Sequence, residues 1–334
     1  MDTRVVTVVA VLFRVLTALI PLQIFLVSGS AIAGKLYMTI SVDWEGRDLD
    51  SENLTVFKNF RSAFPGLPLL HFLNPAYFTK PYADSDQIVR KIKSVMRAQD
   101  ETGLHIHSWK SLVENSGVSY RHFPKWTPRV YHDSQVRACS FSDCGHEVPL
   151  WAYSFPEIRQ IIRFSKNTLE HYGFGRAVSF RAGGWMASPE VIAALGAEGF
   201  RFDSSAVPAD LFRSQLDGYS IPAWVRQLWP GTTLLSQPYQ LDAGNFEIFE
   251  MPDNGCLADY MTANDMMEVF NKNLAVWRAD PDQNIFIHFG FHQETAQFYL
   301  VRIADVLTRI LSKAKAEQIP IVFTTFDQIG ITKF

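Results

Sequence analysis

Five polar islands, each closing an apolar strand-like run, constrain the fold of this chain more than any other feature. Asp43-Trp44-Glu45 follows the run 36–42, His105-Ile106-His107 follows 102–104, and Arg181 follows 177–180. Asp203-Ser204-Ser205 follows 200–202, and His288 follows 285–287. Carboxylates, imidazoles and an arginine at strand ends, with helices between the strands, are what a β/α barrel uses to assemble a site at one mouth. No other simple arrangement brings five such distant islands together. The chain reads as an α/β enzyme.

The spacing along the chain agrees with this. Strand-like runs at 35–43, 67–72, 103–107, 177–181, 200–203, 246–251, 284–288 and 320–325 alternate with helical spacing. The helical segments are 52–64, 85–99, 154–172, 189–199, 262–280 and 295–316, and Ser188-Pro189-Glu190 is a helix start by composition. Two stretches, 110–150 and 208–245, keep no period and read as functional loop insertions. Nothing in the sequence splits residues 34–334, which are expected to form one barrel domain.

The N-terminus differs in kind. Residues 5–27 are almost wholly apolar apart from Arg14, Thr17, Pro21 and Gln23, and Ala31-Ile32-Ala33 follows Ser28-Gly29-Ser30. With Arg14 closing a basic leader, 15–27 match the apolar core of a signal peptide, and Ala-x-Ala marks cleavage after Ala33. An uncleaved anchor would hold Arg14 inside the span, which is costly. The expectation is a periplasmic or secreted protein with residues 1–33 removed and no stable membrane span left. A membrane-anchored form is the alternative. A formal net charge of −3 and the lack of a basic stripe argue against a nucleic-acid partner. Cys139, Cys144 and Cys256 make a poor zinc set and favour a loop disulfide or none.

Side chains at i and i+2 of a strand share a face. Asp43 and Glu45 therefore point one way with Trp44 turned from them, and His105 pairs with His107. One carboxylate and two imidazoles give three ligands and leave an open position, as in catalytic zinc sites. The other carboxylate can act as general base. His288 enters from another strand as a candidate general acid, and His292, after Phe289-Gly290-Phe291, has the same claim or begins the next helix. Arg181, before Ala182-Gly183-Gly184-Trp185, can hold a carboxylate by a two-pronged pair. Asp203 can orient an imidazole or cap the turn at Ser204-Ser205. Trp109 and Trp185, each close to an island, are candidate platforms for a sugar ring, and His292 is grouped with them as a candidate substrate contact.

With these residues in view, the sequence resembles the polysaccharide deacetylase family (carbohydrate esterase family 4) over roughly residues 36–325. The motifs are Ser41-Val42-Asp43-Trp44-Glu45-Gly46, Gly103-Leu104-His105-Ile106-His107-Ser108-Trp109, Phe180-Arg181-Ala182-Gly183-Gly184-Trp185, Gly199-Phe200-Arg201-Phe202-Asp203-Ser204-Ser205 and Phe286-Ile287-His288. The resemblance implies a deformed β/α barrel that hydrolyses N-acetyl or O-acetyl groups on a polysaccharide or other glycan with a divalent metal, zinc above others. It implies Asp43 as base, Glu45, His105 and His107 as ligands, Arg181 holding Asp43, Asp203 tuning His288, and His288 protonating the departing amine. Here Trp44 separates acids that are adjacent in the common motif, and the histidines stand two apart rather than four. That spacing leaves open which of Asp43 and Glu45 is the base. The alternatives are a metal-independent hydrolase of a non-sugar amide and an inactive barrel that only binds glycan.

Overall fold

The computed structural model describes residues 34–127 and 143–329; the expected signal peptide at 1–33, like Cys139, lies outside them. The strands are β1 (Leu36–Trp44), β2 (Leu70–Leu73), β3 (Glu101–Ile106), β4 (Ser179–Ala182), β5 (Phe202–Asp203), β6 (Tyr239–Ala243), β7 (Phe246–Glu250), β8 (Ile285–His292) and β9 (Ile321–Phe323). They form one sheet in the order β6-β7-β5-β4-β3-β2-β1-β8, parallel throughout except for the β6–β7 hairpin. β1 is central. Leu36–Asp43 pair with β8, while the other edge of β1 is shared, β9 taking Leu36–Met38 and β2 taking Ser41–Trp44.

The sheet curls into a half-barrel, and the chain after β7 covers the far edge of β8. Gly255 N donates to His288 O at 2.9 Å, and Ala258 N donates to Gly290 O at 2.7 Å. The Asn254 amide accepts from His288 N and donates to Phe286 O, each at 2.9 Å. Backbone groups that an open edge would leave unpaired are thereby satisfied.

Period-two alternation sorts the side chains. Met38, Ile40, Val42 and Trp44 of β1, with Ile285, Ile287, Phe289 and Phe291 of β8, belong to the core shared with the helices. Phe57, from the helix Ser51–Ala63, meets Phe291 edge-on at 5.3 Å between centroids, an arrangement worth about 0.5–1.5 kcal/mol beyond area burial. The opposite face lines the barrel. Its lower end is a second apolar cluster that includes Tyr37, Phe72, Phe202, Phe286 and Phe326. Above it the inward positions turn polar, and the site begins there.

Three expectations change. The region 208–245 is not irregular throughout: it holds the helix Ile221–Leu228 and edge strand β6, which turns into β7 through Gly244 (φ +67°). Gly-Asn between two strands is itself a two-residue hairpin signal. The helix begun at Ser85 ends at Lys93, short of 99, because Asp100 draws the chain into a turn, accepting from Arg97 N at 2.8 Å and Leu69 N at 3.0 Å. β8 runs to His292, four residues past its expected end. Among the described residues no helix is long and apolar enough to cross a membrane. Cys144 is disulfide-bonded and Cys256 is a buried free thiol.

The barrel floor carries a pH dependence. Glu101 accepts from Ser179 Oγ at 2.5 Å and Asp327 N at 3.0 Å; burial, with Asp327 beside it, raises its pKa from 4.5 to about 7. The native state keeps a proton that the unfolded chain releases above pH 4.5. Stability therefore falls as pH rises from about 4.5 through 7, by ~3 kcal/mol in all. Glu101→Gln imitates the protonated acid. It is expected to unfold at higher denaturant than wild type at pH 8 and to match it at pH 4.5, read from urea transitions at both pH values.

Candidate metal centre and active site

The inward positions of β1 and β8 pair level by level: Tyr37 with Phe286, Thr39 with His288, Ser41 with Gly290, and Asp43 with His292. His292 thus stands at the level of Asp43, at the C-terminal mouth. His288 sits four residues deeper, about 13 Å along the strand. Gly290 is required between them, because a Cβ there would lie 2.4 Å from Leu257 and 2.7 Å from Ser41 Oγ.

At the mouth Glu45 meets three imidazoles. Its carboxylate lies 3.2 Å from His105 Nε2, 2.9 Å from His107 Nε2 and 3.4 Å from His292 Nε2. The other ring nitrogens are committed: His105 Nδ1 donates to Arg181 O at 2.8 Å, and His107 Nδ1 donates to His146 O at 2.6 Å. Each of those two rings then turns toward Glu45 a nitrogen that is a lone pair in the neutral form. Two acceptors at such distances repel unless a proton or a cation lies between them. Burial works against charge on Glu45, but His107 and His292, with hydrogen bonds from His105 and His107, hold its pKa well below the usual carboxylate range. Burial likewise favours neutral His105, yet the Glu45 bond, with Asp43 nearby, raises its pKa above the ordinary value.

The donor set of Glu45, His105 and His107 fits a divalent metal. Its ligand atoms lie within 4.8 Å of one another, all three residues are buried, and carbonyls fix both imidazoles from behind. Such a cluster could hold a metal ion.

Asp43 is held differently. Arg181 Nη1 reaches its two oxygens at 2.9 and 3.2 Å and Ser41 Oγ at 3.1 Å. The rest of the guanidinium is also engaged: Nε donates to Ser204 O at 2.9 Å, Nη2 to Ser204 Oγ at 3.0 Å, and Asp253 lies 3.6 Å away. A lysine could not reproduce this fork. Glu45 therefore faces imidazoles and Asp43 faces a guanidinium, which separates the two acids that the motif spacing leaves ambiguous.

His288 and Asp203 stand where the motifs do not suggest. His288 is fully buried below Arg181, whose Nη2 lies 3.4 Å from its Nε2, and Pro252 O accepts from its ring. Burial, then the Arg181 charge, pushes its pKa well below the ordinary imidazole value. Asp203 lies between inward Phe202 and inward Ser204, so its side chain points out of the barrel. There it accepts from Ser205 Oγ at 2.8 Å and pairs with Glu250, its register partner on β7. Burial raises Asp203 to about 6 and Glu250 well above its usual range. The groups on His288 are Arg181, Ser204 and the Pro252 carbonyl rather than Asp203.

His292 has the surroundings expected of an acid. Its side chain is 16% exposed, and Asp259 holds its Nδ1 at 3.1 Å. Burial opposes its charge, but Asp259 and Glu45 outweigh it and raise its pKa to about 10. Trp109 and Trp185 are not open platforms. Both are buried, Trp109 donating to Glu45 O at 2.8 Å and Trp185 to Asp253 at 2.9 Å. They brace the site from behind. Asp253, Asp259, His146 and Glu294, which accepts from Glu45 N at 3.0 Å, are absent from the sequence reading. None of them closes an apolar strand run, so no strand-end pattern marks them.

No family model matches the sequence, and no curated protein matches it. Solved structures similar to this chain include polysaccharide deacetylases and family 4 carbohydrate esterases, at 8–14% identity. A protein from Mycobacterium smegmatis assigned as a polysaccharide deacetylase is 14% identical, with 91% of this chain and 98% of that one covered and a TM-score of 0.47. A family 4 carbohydrate esterase from Streptomyces lividans, solved with acetate, is 8% identical over 90% and 96% of the two chains, TM-score 0.43. The PuuE allantoinase is 12% identical over 87% of each chain, TM-score 0.48. At such identities the chemistry of the site rests on this chain's own residues.

Proposed function

We propose that this protein is a divalent-metal-dependent hydrolase that removes acetyl groups from the amines or hydroxyls of a glycan. The observation that carries the reading is the convergence of two carbonyl-anchored imidazoles, His105 and His107, on Glu45, two residues beyond an Asp43 held by arginine. Glu45, His105 and His107 hold the metal, with zinc suited to this nitrogen and oxygen set. When bound, the cation supplies Lewis acidity that stabilises negative charge on the acetyl carbonyl oxygen.

Asp43 takes the proton of the attacking water as general base, its carboxylate oriented by Arg181 Nη1. His292 donates a proton to the departing nitrogen or oxygen as the carbonyl carbon bond breaks, and Asp259 keeps its ring in place. Arg181 is a positioning residue, and His288 supports Arg181 from below. The glycan part of the reading is supported by the five motifs, not by Trp109 and Trp185. Export is supported by the N-terminal sequence pattern.

The test is acetate release by the purified protein, with and without added Zn²⁺, from N-acetylated and O-acetylated oligosaccharides. A panel of small non-sugar amides, read by ammonia release, runs beside it. Metal-dependent acetate release is expected. Hydrolysis of the small amides alone would replace the glycan with a small substrate, and glycan binding without any hydrolysis would make the barrel a binding protein.

A further inference from the structure

The loop insertion near 110–150 carries a buried ion pair. Lys125 Nζ and Glu147 Oε1 lie 2.5 Å apart, and each side chain is 1% exposed. The second oxygen of Glu147 lies 2.9 Å from His146 Nδ1. The carbonyl of that same histidine accepts the Nδ1–H of His107. A continuous path therefore joins Lys125, Glu147, His146 and His107. Nothing in the strand pattern marks its first three members.

The two ligating histidines are anchored by different means. His105 lies within β3, and its carbonyl partner, Arg181 O, belongs to the adjacent strand β4, so the sheet ladder fixes both. His107 lies one residue past the end of β3 and depends on a carbonyl from the insertion. The turn bearing that carbonyl is shaped for it. Gly145 has φ +95°, and a Cβ there would lie 2.5 Å from the Tyr120 ring and 2.8 Å from Ser108 O. Trp126, next to Lys125, donates its backbone N–H to Glu147 O at 3.3 Å and sets its ring edge-on to His107 at 5.7 Å.

We propose that Glu147 and Lys125 are positioning residues for His107: their ion pair clamps His146 so that its carbonyl holds His107 in the ligating orientation. Lys125, His146 and Glu147 of the insertion are then part of the support of the metal centre. This rests on the reading of Glu45, His105 and His107 as ligands.

The test is Zn²⁺ affinity, by competition with a chromogenic chelator, together with the Co²⁺ absorption spectrum and circular dichroism of the full chain. Glu147→Ala is expected to weaken Zn²⁺ binding about 10–100-fold, the usual effect of losing a group that orients a ligand. Glu147→Gln keeps one acceptor oxygen where the carboxylate offers two and leaves the buried Lys125 without its counter-charge, so its Zn²⁺ affinity is expected to fall between wild type and Glu147→Ala. The paired change Lys125→Met with Glu147→Leu leaves no buried charge alone. It is expected to fold, to bind as weakly as Glu147→Ala, and to shift the Co²⁺ spectrum. Unchanged affinity in that folded double variant overturns the proposal. A wild-type protein that binds no Zn²⁺ overturns the ligand reading itself, which separates the two failures.

Discussion

Replacing His107 with alanine is expected to abolish stoichiometric binding of a divalent metal and to lower turnover about a thousandfold or more. The size follows from the several kcal/mol of charge stabilisation a catalytic metal supplies, each 1.36 kcal/mol being tenfold in rate. The fold should survive. His107 lies beyond the end of β3, outside the sheet ladder, and its ring touches Glu45, the His146 carbonyl and the edge of Trp126. His105→Ala should lose metal as well, with more damage to stability, because it lies within β3 and its ring bonds a carbonyl of the adjacent strand β4. Metal content after dialysis, beside a thermal melt, distinguishes the two. A His107→Ala protein that keeps a full equivalent of metal would remove this residue from the ligand set.

The sequence was informative wherever a strand ended in chemistry and its neighbours alternated strictly. Asp43 and Glu45 on one face with Trp44 on the other follows from a period of two, and the structure has Trp44 fully buried in the helix-side core. The same rule places Asp203 outward between Phe202 and Ser204, and its association with His288 is implied by the family resemblance alone. In β8 the motif Phe286-Ile287-His288 suggests a strand that ends, whereas Phe289-Gly290-Phe291-His292 continues the alternation and carries a second histidine to the mouth. Depth along a parallel strand depends on register with the neighbouring strand, and register is a tertiary property. The supporting groups were harder still. Asp253, Asp259 and Glu147 reach the site from irregular backbone, where no period marks a side chain's direction, and only the packed loops bring them to Arg181, His292 and His146.

The polar layer explains why His288 is present if it is not the acid. A guanidinium buried in a barrel needs an acceptor for every N–H and no competing cation. Ser41, Asp43, Ser204 and neutral His288 provide the acceptors, with Asp253 close by. A charged imidazole at 3.4 Å from Arg181 would oppose this. His288 therefore sets the floor on which the Arg181–Asp43 pair stands, and Asp43 can then be held rigidly at the mouth.

His292→Gln is accordingly expected to lower turnover of an N-acetylated sugar by about 10²–10⁴, the range for loss of a general acid, while the protein keeps its metal. Glutamine can still bond Asp259 but has no proton to give. The decisive readout is dependence on the leaving group. An acetate ester of a nitrophenol departs without protonation, so its hydrolysis should fall far less in His292→Gln than that of the amide. His288→Gln should behave oppositely. It disturbs a buried hydrogen-bonded layer and is expected to cost about 1–3 kcal/mol of stability, with ester and amide turnover falling in parallel. If the leaving-group effect appears in His288→Gln and not in His292→Gln, the acid is the deeper histidine, and β8 must shift for substrate to reach it. The register argues against that outcome: Asp43 and His292 are partners across β1 and β8, and His288 is paired with Thr39 beneath them.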